Sequence, residues 1–247
     1  MGRAAVLPSS DMPATSGSRQ HAMPRTFLIA LAAMLSSAAA PLRAETPVPI
    51  EEEPQHRLRF HNAHVRFFDV ELPPRYRGVM HIHHHDGVFV NITPSTTEAQ
   101  DWGAEPVTRP PRTPGESYFI GYAQTPKAHR ISNVGAQPYR VTDTEILAGC
   151  GPADIPDDAL SGSLIVENKR VRVTRIELDP RAKATLFGPC GMLVAVTGGA
   201  LVIQQPGGDE HVSLGPAGFK WREGAQPVVI ENVGSEPIHL VDILIKQ

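Results

Sequence analysis

Four of the eleven histidines in this 247-residue chain fall within five positions: His81, His83, His84 and His85. His81-Ile82-His83 reads as a strand, where residues two apart project from one face. Both imidazoles then stand side by side, with Ile82 turned away. Two neutral imidazoles held this way are a metal-ligand arrangement. A third comes from His129, which opens a later strand in the pattern His129-x3-Asn133. His84 and His85 fall in the turn after the pair and are expected to face solvent. His56, His61, His64, His211 and His239 show no spacing that calls for a site.

The elements that must position these side chains are written twice. Asn62–Arg75 aligns with Asn168–Arg181 at an offset of 106, with seven of fourteen positions identical. Val88-Phe89-Val90 aligns with Val194-Ala195-Val196 at the same offset. Asn-Val-Gly-x-x-Pro recurs at an offset of 99, in Asn133–Pro138 and Asn232–Pro237. The chain is therefore read as two copies of one unit, a repeat that must be found before any motif is interpreted. The first copy carries about seven extra residues, placed here within Pro94–Gly115. In the first copy, strands are expected over Val65–Leu72, Gly87–Ile92, Tyr118–Ile120 and Tyr139–Leu147. In the second they cover Val171–Leu178, Met192–Val196, Ala200–Gln204, Val228–Glu231 and Ile238–Ile245. Turn residues separate them at intervals of roughly 8–12 residues, the spacing of sandwiches and small barrels. Gly198-Gly199 and Gly207-Gly208 read as hairpin turns.

His81-x-His83 and His129-x3-Asn133 resemble the cores of the two motifs of the cupin superfamily, G-x5-H-x-H-x3–4-E-x6-G and G-x5-P-x-G-x2-H-x3-N. The resemblance covers most of residues 55–247 and is that of a two-domain cupin. It implies an all-β fold of two tandem jelly-roll barrels, residues 45–150 with a metal site and residues 151–247 without one. It also implies a divalent metal inside the first barrel. The superfamily's glutamate would fall on Gly87 or Val88, neither of which ligates. Asp86 stands one residue early. The expected ligand set is therefore His81, His83, His129 and Asp86, with Asp86 serving as fourth ligand or as acceptor for a ligand N–H. Imidazoles suit several ions, so Fe, Zn, Mn, Ni and Cu all stay open. Offsets of 106 and 99 put Phe187, Pro189 and Val228 at the ligand positions of the second copy, which is expected to hold no metal. Phe89 and Asn91 share a face with Gly87 and are expected to line the pocket.

Composition bounds the rest. With 41% apolar and 20% charged residues, 24 Pro and 21 Gly, the chain can bury a core and is rich in turns. A net charge of −3 gives no electrostatic footprint for nucleic acid. Met23-Pro24-Arg25, the apolar run Phe27–Leu35 and the small residues that follow read as a bacterial signal peptide starting at Met23 and cleaved after Ala44. Removing residues 1–44 takes away four Arg and one Asp, which moves the charge from −3 to −6. The remaining chain is expected in the periplasm, with no stable membrane insertion. There Cys150 and Cys190 either form a disulfide or stay as two buried thiols.

Three functions fit. The first is a metal-dependent enzyme of dioxygenase or isomerase type on a small organic substrate, with Tyr118, Tyr122, Asp86 and the Pro94–Gly115 loop with Trp102 as candidate sources of a general base. The second is a non-catalytic periplasmic protein that binds or senses a small molecule. The third is a metal-free barrel that serves pairing, since members of the superfamily frequently form dimers.

Overall fold

The computed structural model describes residues 45–246 except 153–154, 156–160, 206 and 225. The expected leader, residues 1–44, lies outside the described residues. Among those described there is no α-helix, only a 3-10 turn at Ile50–Glu52, and no helix long and apolar enough to cross a membrane.

The first copy forms two five-stranded sheets. One runs in the order β2 (His56–His61), β3 (Val65–Leu72), β10 (Tyr139–Ile146), β5 (Asp86–Thr93), β8 (Ser117–Ile120). The other runs β1 (Val48–Pro49), β4 (His81–His83), β9 (Lys127–Asn133), β6 (Thr97–Asp101), β7 (Val107–Arg109). The second copy repeats the plan. Its first sheet is β11 (Ser163–Glu167), β12 (Val171–Leu178), β19 (Ile238–Ile245), β14 (Cys190–Ala195), β17 (Phe219–Glu223). Its second is β13 (Lys183–Leu186), β18 (Val228–Asn232), β15 (Gly199–Gln205), β16 (Gly208–Leu214). Shared strand order in facing sheets makes each copy a jelly roll, so the all-β expectation is the architecture observed.

The identical residues of the repeat are turn chemistry. Asn62 Oδ1 accepts the backbone N–H of His64 and of Val65, and Asn168 Oδ1 accepts those of Arg170 and Val171. Each Asx turn feeds a strand, β3 or β12. At the far end, Arg75 and Arg181 both take positive φ, 61° and 68°. Tyr76 N–H donates to Pro73 O and Ala182 N–H to Asp179 O, closing a four-residue turn with proline second and arginine third. Asn133 and Asn232 clasp their barrels alike, donating from Nδ2 to Leu72 O and Leu178 O and accepting from Gly135 and Gly234 N–H.

Register corrects the placement of the extra residues. Asp143 pairs with Phe89 and its counterpart Asp242 with Leu193, so the offset has already fallen to 104 at β5. Val88-Phe89-Val90 therefore corresponds to Met192-Leu193-Val194. His81 pairs with His129 as Leu186 pairs with Val228, an offset of 105 at β4. Phe89 pairs with Tyr118 as Leu193 pairs with Lys220, an offset of 102 at β8. The seven extra residues are thus dispersed: one before β4, one before β5, two before β8 and three in the β8–β9 loop. Only two of the seven fall in or beside Pro94–Gly115, one between β6 and β7 and one between β7 and β8, so the single insertion expected there is spread out. A register set by pairing advances in small steps that an ungapped alignment cannot see. Gly198-Gly199 is also not a hairpin, because it carries the chain from β14 in one sheet to β15 in the other. β15 and β16 do pair antiparallel beside Gly208, which has φ 114°.

Two kinds of core result. Val65, Phe67, Val88, Val90 and Ile146 on the outer face of the first barrel pack with Val171, Val173, Met192, Val241 and Ile243 of the second. This explains why β5 reads as a continuous apolar run: both of its faces are covered. Cys150 and Cys190 form a disulfide across this boundary, with Cα atoms 6.0 Å apart. Inside the second barrel Leu186, Leu193, Leu201, Ile230 and Leu240 pack on one another. Inside the first barrel Phe68, Val70, Leu72 and Val141 share the space with histidines, tyrosines and carboxylates.

Candidate metal centre

β4 places His81 and His83 on one face, both 1% exposed, with Ile82 turned out. Antiparallel pairing sets His129 of β9 directly opposite His81. The rings of His81, His83 and His129 meet as a triangle, with centroids 5.1, 4.9 and 4.9 Å apart. The three sequence-named histidines are thus together. A fourth imidazole joins them: His56, at the start of β2, lies 4.5 Å from the His81 ring. The tightest nitrogen group is His56, His81 and His83, whose ligand atoms all lie within 4.8 Å of one another; His129 packs beside it.

Two of the outer nitrogens are committed. His81 Nδ1 lies 2.9 Å from Val79 O, which requires an N–H there and leaves Nε2 as a lone pair. His56 Nδ1 lies 2.8 Å from Glu53 Oε2, which leaves its Nε2 for the cluster. His83 Nδ1 faces Glu145 Oε1 at 3.5 Å and Asp143 Oδ2 at 3.7 Å, all fully buried. His83 Nδ1 makes no hydrogen bond, and the Nε2 atoms of His81 and His83 lie 3.2 Å apart, with the His83 Nε2–H placed to donate to the His81 lone pair. A cation that replaced the shared proton would be ligated by both nitrogens. Two nitrogens each about 2.0–2.1 Å from one ion stand about 3.0–3.4 Å apart. The residues present therefore fit a divalent metal.

Electrostatics prepare the same state. Burial, then the charges of His56 and His83, pulls His81 down to about 3. Burial likewise lowers His83, and it lowers His129 further, helped by His81 and His83. Neutral imidazole is the ligating form. Burial alone would raise Glu53, but the hydrogen bond and charge of His56, with the N–H groups of Gln55 and Val79, hold it at about 2. Tyr76 also donates to Glu53 Oε1, at 3.1 Å. Burial and then the charge of Glu145 raise the Asp143 carboxyl well above the usual range. Glu145 is pulled down against its burial by His83 and by Arg66, whose guanidinium grips Oε2. Anions on Glu53 and Glu145 thus back two of the histidines, the arrangement that orients ligands and raises their basicity.

Asp86 is not part of this group. Its Oδ1 accepts Ala123 N–H at 2.9 Å, and its Oδ2 meets Arg170 Nε of the second copy at 3.2 Å. The acceptor role expected of it falls instead to Val79 O, Glu53 and Glu145. Neither His56 nor Glu53 follows from spacing along a strand, because the pair straddles a turn. The Glu53-x-x-His56 pattern was the available signal.

A cavity of about 120 Å³ adjoins the histidines. His56, His83 and His129 form part of its wall, with Phe89, Tyr118, Tyr122 and Tyr139. Tyr122 stacks on His83 at 4.7 Å, and the β8–β9 loop with its three extra residues brings it there. Burial raises the hydroxyls of Tyr118 and Tyr122, so both stay protonated. Asn91 sits inside the same barrel, accepting from Tyr139 Oη. Gly87 faces Asp143, where a Cβ would lie 3.0 Å from Oδ1. Trp102 is 60% exposed and does not line the cavity, and His84 is exposed while His85 is half-buried. In the second copy, register puts Leu186, Gly188 and Val228 where the first has His81, His83 and His129, correcting the expected Phe187 and Pro189.

No protein-family model matches the chain, and no curated protein matches its sequence. Solved structures do match. AerE from Microcystis aeruginosa superposes with a TM-score of 0.56 at 15% identity, covering 79% of this chain and 99% of that one. The bacterial pirin YhhW of Escherichia coli, solved in complex with nickel(II), gives 0.53 at 17%, covering 78% and 91%. Oxalate decarboxylase of Bacillus subtilis, which has Mn(II) centres, gives 0.52 at 9%, covering 78% and 75%. The chain has the two-barrel cupin fold. At such identities the likeness speaks of fold, so function must come from the site.

Proposed function

We propose that this two-barrel cupin is an exported protein that holds one divalent transition metal in its first barrel. It acts there on a small organic molecule admitted to the adjoining cavity, in a reaction of dioxygenase or isomerase type. The observation that carries the reading is the convergence of His56, His81 and His83, whose ligand nitrogens all lie within 4.8 Å of one another, with the Nε2 atoms of His81 and His83 3.2 Å apart. His56, His81 and His83 hold the ion, and His129 flanks them on the cavity wall. A bound divalent ion supplies Lewis acidity, and redox chemistry if it is iron, manganese or copper. The chain's own part is to keep the imidazoles neutral, to surround the ligand with aromatic walls, and to offer Tyr122 as a protonated hydroxyl beside His83. The Cys150–Cys190 disulfide supports export, since such bonds persist in oxidising compartments.

Metal content of the purified chain after dialysis tests this. About one ion per chain, lost in His81→Ala and in His83→Ala, is expected; no ion in the wild type overturns it. One observation favours the non-catalytic binding reading: among the described residues no carboxylate lines the cavity, which leaves the imidazoles as its basic groups. Oxygen uptake or product formation with a panel of small phenols, sugars and thiols decides. Tight binding without turnover would select the binding protein.

A further inference from the structure

Among the described residues, the cavity wall carries three cations, Arg109, Arg112 and Lys127, and no anion. Two are already matched. Arg112 pairs with Glu116 and lies over the Tyr118 ring at 4.6 Å. Lys127 pairs with Asp101 at 2.8 Å. Arg109, the last residue of β7, has no ion-pair partner among the described residues. Its register partner Thr97 also lines the cavity, so the end of this hairpin is part of the wall. Arg109 is exposed at the rim of the cavity, and its charge opposes the burial that raises Tyr118, Tyr122 and Tyr139. The fold does not require it. Thr97 pairs with Arg109 where, in the second copy, Leu201 pairs with Val212.

The same cavity wall carries an aromatic stack. Phe89 and Tyr118 stack at 5.1 Å with an interplanar angle of 15°, and Arg112 caps the stack. An unmatched guanidinium at the edge of an aromatic wall selects a ligand with a planar body and one anionic end, because the fork geometry fits a carboxylate.

We propose that Arg109 receives the carboxylate of a small aromatic acid whose ring lies against Phe89 and Tyr118. This names the substrate class for the metal-dependent reading above and rests on it for the chemistry, but the recognition itself needs only Arg109 and the aromatic wall.

The test is calorimetric binding of benzoate and of neutral benzyl alcohol to the full chain, metal-loaded and chelator-treated. Benzoate should bind at least about tenfold more tightly than benzyl alcohol in both forms, the scale of a charge-assisted hydrogen bond. Arg109→Gln should abolish that preference and leave benzyl alcohol unchanged, and Arg109→Lys should restore part of it. Equal binding of the two probes, binding of neither, or a preference that survives Arg109→Gln overturns the proposal. A preference confined to the metal-loaded form would assign the carboxylate to the ion and overturn the role of Arg109. A chain that never holds metal but keeps the Arg109-dependent preference would sink the metal reading alone.

Discussion

Oε2 of Glu53 stands 2.8 Å from Nδ1 of His56, and the same oxygen accepts the backbone N–H groups of Gln55 and His56. The carboxylate is 1% exposed and its other oxygen takes Tyr76. One buried anion therefore fixes both the turn into β2 and the direction in which His56 points.

Removing that charge while keeping the shape should be felt at the metal. In Glu53→Gln the amide can still occupy the site, but the acceptor that makes His56 more basic is weakened. Metal affinity should fall about 10–100-fold, the usual effect of losing such a partner. Competition with a chromophoric chelator measures it. Unchanged affinity in a folded variant would remove His56 from the ligand set.

Acid should destabilise the metal-free chain. His81 is held at about 3 in the fold against an ordinary 6.5, and His83 and His129 are lowered too. The unfolded chain binds these protons more readily, so stability rises with pH across that interval. What the sites contribute is whole above about 6.5 and is lost as pH falls toward about 3. The melting temperature of chelated protein should drop through this window, less steeply in His81→Leu. Equal slopes in the two proteins would contradict the burial of a neutral His81.

The second copy supplies its own control substitution. His81→Leu with His129→Val installs the pair that stands at Leu186 and Val228. The double variant should lose its metal yet fold, with a metal-free melting temperature at or above that of the parent, because apolar groups replace imidazoles held neutral by burial. Retained metal, read by elemental analysis, would refute the site.

Cys150→Ser with Cys190→Ser should cost about 3–4 kcal/mol in denaturant unfolding, the chain-entropy value for a separation of 40 residues. Neither cysteine lines the cavity, so the metal stoichiometry should not change. A loss below about 1 kcal/mol would mean that the unfolded chain is already restricted.

Much of this molecule is legible in its residues, and the exceptions have a common cause. β3 and β12 keep the repeat's bounds, and β10 and β19 do the same, because alternation and Asx or proline turns are local signals. His81, His83 and His129 could be found because strand periodicity and one pairing step bring them together. His56 could not, since its approach to His81 depends on how a 3-10 turn delivers β2 to the barrel. Glu53 was hidden at the end of an acidic triplet that reads as a solvated run. Asp86 was close in number but on the wrong side: register sets it opposite Ile146, where Arg170 of the other copy reaches it. The scattered extra residues escaped because each local shift is only one to three positions.

The outer faces of the two barrels interdigitate, with Phe67 against Phe219 at 4.5 Å and one apolar cluster drawn from both copies. Neither copy can release its half of that cluster without exposing the other's, so the pair should unfold as a single cooperative unit. A destabilising change anywhere in the second copy lowers the population of working sites as surely as one beside His81. The copy without the histidine cluster is thus held under the same selection as its partner, through shared thermodynamics rather than chemistry.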